Sequence, residues 1–119
     1  MHELKTITDR IENLEFRQRL LFDNTSVDRI LFEYDVTREQ YRDIMDLMDL
    51  YRERIDKGEK VYHGSFESKI YEIVQHHAGD YHFVEALVQA FKECGRWEEI
   101  FPALYSELPK FKYLMENEN

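Results

Sequence analysis

The sequence predicts an all-α protein, one domain of five to six helices spanning residues 1–119, and three observations predict it. Apolar residues recur at steps of three and four along most of the chain, the period of a helix with one buried face. Only four glycines and two prolines interrupt it, and Gly58, Gly79 and Gly95 each follow an amphipathic run, where a helix end calls for a left-handed residue. No alternating stretch is long enough for a strand; "KVYHGSF" (60–66) comes nearest, and Gly64 and Ser65 make it read as a loop.

The first helix is expected from about Leu4 to Phe22. Leu4, Ile7, Ile11, Leu14, Gln18 and Leu21 step by 3, 4, 3, 4 and 3, which is the a/d spacing of a coiled coil held for almost three heptads. Arg10 and Glu15 occupy g and e positions, where a parallel pairing sets them face to face with opposite sign. Gln18 lies on the seam, where a polar group fixes register. Phe16, Leu20 and Phe22 widen the apolar surface beyond a two-helix seam, so the helix is expected to touch its own core as well as another subunit. Residues 1–23 are thus the expected oligomerisation helix of a homo-oligomer, with dimer, trimer and tetramer all open.

A short helix over "VDRILFEY" follows Ser26. The third starts at Thr37, which with Gln40 makes a capping box, and ends near Lys57. Its stripe is Tyr41, Ile44, Met45, Met48, Tyr51 and Ile55, extended by Leu47 and Leu50; Asp43, Asp46, Asp49 and Glu53 lie opposite and read as a solvated face. The fourth is expected from about Phe66 to His77, the fifth from just after Asp80 to just before Gly95, and the sixth with Pro102 in its first turn. Near the end, Tyr105, Phe111, Tyr113 and Leu114 are expected to complete the subunit's own core or to clasp a neighbour. The polar stretch 115–119 is expected to be a disordered tail.

Composition narrows the function. Lys plus Arg total 16 and Asp plus Glu total 25, a net charge of −9, which repels phosphate backbones; no nucleic-acid partner is expected. No stretch approaches the roughly 20 apolar residues that span a bilayer, and the charged N-terminus has no apolar signal region, so no membrane partner and a cytoplasmic location are expected. The single cysteine, Cys94, excludes an intramolecular disulfide and a cysteine-based zinc site, and its place on the fifth helix's apolar stripe reads as a small buried hydrophobe.

"HHAGDYH" (76–82) raises the question of a metal. Extrapolated as helix, His77 shares the apolar stripe of Phe66, Ile70, Ile73 and Val74, His76 points about 100° away, and His82 falls on the polar side of the next helix with Glu85, Gln89 and Glu93. Three directions do not make a coordination sphere. The expectation is no cofactor; the alternative is a metal or small-molecule site of His76, Asp80 and His82, with a bend at Gly79 drawing His63 to His76 and Asp80, or symmetry assembling the site from two subunits. No phosphate loop, nucleophile elbow or di-iron Glu-x-x-His pair occurs. The functional expectation is a non-catalytic interaction or regulatory protein with a homo-oligomeric partner surface and room for a protein partner.

The stretch "DYHFVEALVQAFKECGRWEEIFPALY" (80–105), after the N-terminal "LKTITDRIENLEFRQRLL", resembles the YhaI-like family of small acidic helical proteins of Bacillus-type bacteria. The resemblance implies a multihelical fold and an oligomer. It implies no catalytic residues.

Overall fold

Six α-helices lie within the described residues: α1 (His2–Asp23), α2 (Ser26–Glu33), α3 (Arg38–Asp56), α4 (His63–Ile73), α5 (Tyr81–Glu93) and α6 (Ile100–Tyr105), with a 3-10 turn at Gln75–His77. This computed structural model describes residues 2–110, the side chain of His2 excepted, and no strand occurs among them. Phe111, Tyr113, Leu114 and the tail 115–119 lie outside the described residues.

Short-range chemistry sets most helix ends. Thr37 and Gln40 form the expected capping box: Gln40 N–H donates to Thr37 Oγ1 at 3.1 Å, and Thr37 N–H donates to Gln40 Oε1 at 3.0 Å. Thr25 and Asp28 form a second box at the start of α2. Asp80 accepts from the Phe83 N–H at 3.2 Å and starts α5. Gly95, at φ 76°, ends it, and the Arg96 N–H folds back onto the Phe91 carbonyl at 2.9 Å.

α4 differs from expectation at both ends. It begins at His63, so Gly64 and Ser65 belong to its first turn rather than to a loop, with no side-chain cap at Tyr62. It stops at Ile73. Val74 leaves helical geometry at φ −114° and ψ 71°, and the chain then tightens into the 3-10 turn that holds both histidines.

The core is built round α5, which packs against α2, α4 and α6, while α3 packs on α4 and α6. Phe83, Val84, Leu87, Val88, Ala90 and Phe91 are buried on α5 and belong to one core with Ile44, Leu47, Met48 and Tyr51 of α3 and Ile100, Phe101, Leu104 and Tyr105 of α6. Cys94 is exposed, contrary to the buried position expected of it; its thiol lies 3.5 Å from the Ser26 hydroxyl. Periodicity placed it on the stripe, but it sits in the cap of the helix, past the last turn that the core covers.

Three polar side chains within the core, Trp97, Tyr105 and Glu85, have partners. The Trp97 indole N–H donates to Asp49 at 2.8 Å, so one member of the α3 acidic face holds the α5–α6 turn. The Tyr105 hydroxyl donates to Glu67 at 2.8 Å. Burial, with the Glu67 carboxylate beside it, pushes that hydroxyl far above the ordinary phenol range, so it stays protonated. Glu85, expected on a polar face, is 8% exposed and pairs with Lys110 at 2.8 Å, which ties the segment after α6 across α5.

Candidate association interface

α1 departs from the other helices in what it buries. A helix of 22 residues runs about 33 Å, and Leu20 alone among its described side chains is buried. Asn13, Phe16 and Arg17 are half-buried beside it, and together these residues lay α1 on α2. Arg17 fastens that contact. It donates to Asp35 at 2.6 Å, and its guanidinium lies over the Phe32 ring at 4.2 Å.

The heptad stripe points away from this contact. At 100° per residue its mean direction lies roughly 140° around the helix from Asn13, Phe16, Arg17 and Leu20. Leu4 is 70% exposed, Ile7 56%, Ile11 50%, Leu14 65% and Leu21 60%, and Gln18 is exposed among them. Single exposed leucines are ordinary; here five apolar side chains share one face of one helix.

Phe16 and Leu20 do pack on the protomer's own body, but Phe22 does not; it is 88% exposed. The sequence carried the signal for this. Phe22 lies eighteen residues after Leu4, five full turns of helix at about 3.6 residues each, and so extends the outward stripe rather than the inward one. The closure of the Arg17 flank by Asp35 carried no signal, because it joins residues eighteen apart through a turn whose shape depends on Asn24 and Asp35 taking φ of 49° and 55°.

The histidine turn is a different kind of place. His76 and His77 are neighbours, their ring centroids 4.1 Å apart, and both turn Nε2 to one acceptor, the Tyr34 carbonyl at the end of α2, at 3.2 and 2.5 Å. An imidazole protonated at Nε2 donates there. The divergence expected of them rested on continuing α4 through His77, and the 3-10 turn removes it. The His77 ring also meets the Tyr34 ring edge-on at 5.1 Å and lies tilted against the Phe83 ring at 5.3 Å. Burial, then Asp80 and Glu33, raise the Tyr34 hydroxyl above its ordinary range.

His76, Asp80 and His82, the alternative metal set, are not brought together. His76 faces the Tyr34 carbonyl, the Asp80 carboxylate caps α5, and the exposed His82 ring lies against Tyr81 at 4.2 Å. Among the described residues no three His, Cys, Asp or Glu side chains lie where they could hold one ion. His63, the further candidate there, sits at the start of α4 with Nδ1 3.7 Å from Glu67, beyond hydrogen-bond reach.

A polar groove of about 490 Å³ separates α1 from the start of α3. Lys5, Arg38 and Arg42 line it against Asp9, Glu12 and Glu39, three cations and three anions, so it favours neither sign of ligand. No described helix is long and apolar enough to cross a membrane. No family model, curated protein or solved structure matches the chain.

Proposed function

We propose that this protein is a non-catalytic interaction or regulatory module of the bacterial cytoplasm, working as a homo-oligomer assembled through α1. One observation carries the reading: five apolar heptad residues lie exposed in a row on the face of α1 turned away from its own body. Leaving such a row in water is costly. Fully burying a leucine or isoleucine side chain is worth about 1.5–3 kcal/mol, and among the described residues of the protomer these five side chains stay at least half exposed. A second copy presents the same row, so the surface complements itself. The resemblance of residues 80–105 to YhaI-like proteins, which implies an oligomer, points the same way. The net charge of −9 weighs against nucleic acid as the partner.

Light scattering on tag-free protein, wild type beside Ile11→Asp, tests this. The expected result is a multiple of the chain mass for wild type and the single-chain mass for the variant, with equal helicity by circular dichroism. Wild type at the single-chain mass at every concentration defeats the reading. Affinity purification from the native cytoplasm, comparing the same two proteins, then asks whether a further protein binds the assembled form.

A further inference from the structure

We infer that α1 pairs with a second copy of itself in parallel, as a two-stranded coiled coil in which Arg10 of each chain faces the partner's Glu15. The inference rests on the association reading above and adds orientation and strand number to it.

Strand number follows from the width of the free face. Coils of three or more strands turn e and g positions inward as well as a and d, because each helix then touches two neighbours. Here the g flank at Arg17 is closed by Asp35 and Phe32 of the same chain. Upstream, the flanking positions Glu3, Thr8, Arg10 and Glu15 are polar and exposed. What remains apolar is one seam wide, with Phe22 broadening it at the end nearest the body. One partner helix covers a single seam.

Orientation follows from which groups each alignment brings together. In parallel, g faces the following e of the partner: Arg10 meets the partner's Glu15 twice by symmetry, and Phe22 meets the stem of the partner's Arg17, a side chain already held in place by Asp35. Gln18 meets the partner's Gln18, and two amides satisfy each other across the seam. The antiparallel alignment of full overlap pairs Leu4 with the partner's Leu21 and Ile11 with the partner's Leu14. It then sets Gln18 against the partner's Ile7, leaving a buried amide without a partner. It also sets Arg10 against the partner's Arg17, a like-charge contact made twice.

Charge reversal separates the two orientations by sign. In sedimentation equilibrium at low salt, Arg10→Glu is expected to weaken the dimer roughly tenfold, since two exposed ion pairs become two repulsions. Adding Glu15→Arg to it is expected to restore the wild-type constant to within about twofold. An Arg10→Glu protein that dimerises as well as or better than wild type overturns the parallel arrangement, because the antiparallel one gains an Arg17 pair. A three- or four-chain mass overturns the two strands. Wild type at the single-chain mass defeats the association reading itself, a distinct failure. As a second readout, Leu4→Cys in a Cys94→Ser background is expected to form a disulfide-linked dimer in a glutathione buffer. A dimer by mass that forms no such link also overturns the parallel arrangement.

Discussion

α5 and α1 are both amphipathic helices, and they do opposite things with the same pattern. α5 has 13 residues and buries seven of them; α1 has 22 and buries Leu20. On α5 the apolar stripe meets α2, α4 and α6 within the chain. On α1 the longer stripe stays exposed among the described residues, and the inward contact is made by a secondary face of Asn13, Phe16, Arg17 and Leu20. Regular heptad spacing of 3 and 4 here accompanies an exposed apolar face, and the less regular spacing of α5 a buried one, although both helices are amphipathic.

The largest effect is expected on α5. Phe91→Ala removes a ring that lies between Tyr41 and Trp97 in the centre of the protein and should cost about 3–5 kcal/mol in urea unfolding. Within α1 the two faces should then part company. Leu20→Ala should cost roughly 2–4 kcal/mol of protomer stability. Leu14→Ala, on the outward stripe, should change protomer stability by less than about 0.5 kcal/mol and still weaken self-association, read by unfolding in dilute solution beside sedimentation in concentrated solution. Equal costs for the two would erase the contrast.

Smaller effects sharpen the inward side. Tyr105→Phe leaves the Glu67 carboxylate without its donor and should cost about 1–3 kcal/mol. The Arg52–Glu99 pair between α3 and the α5–α6 turn is the weakest of these contacts. The guanidinium hydrogen bond holds the Glu99 carboxyl below its ordinary range, chiefly against the opposing pull of burial. A lowered folded pKa stabilises the fold above the unfolded carboxylate pKa, and that contribution is lost as the pH falls through the lowered value. Arg52→Ala should thus cost less than about 1 kcal/mol at neutral pH, because the pair is well exposed. The difference from wild type should vanish in acid.

Legibility in the sequence followed range. Thr37 with Gln40, Asp80 before Phe83, and Gly95 after Cys94 are chemistry between residues at most a few positions apart; the first two start a helix and the third stops one where expected. The outward stripe of α1 could be placed on one face because it is a property of a single helix. Long-range partners could not be read. Glu85 is buried and pairs with Lys110, and His76 and His77 converge on the Tyr34 carbonyl at the end of another helix. The 3-10 turn that lets them do so breaks the very periodicity on which their expected divergence rested.

The comparison of α1 with α5 is tested most directly by amide hydrogen exchange at high and at low protein concentration. The account predicts that amides of α1 over residues 3–14 are protected in concentrated solution and lose that protection on dilution, while amides of α5 exchange at the same slow rate in both. Exchange in α1 that is independent of concentration would contradict it.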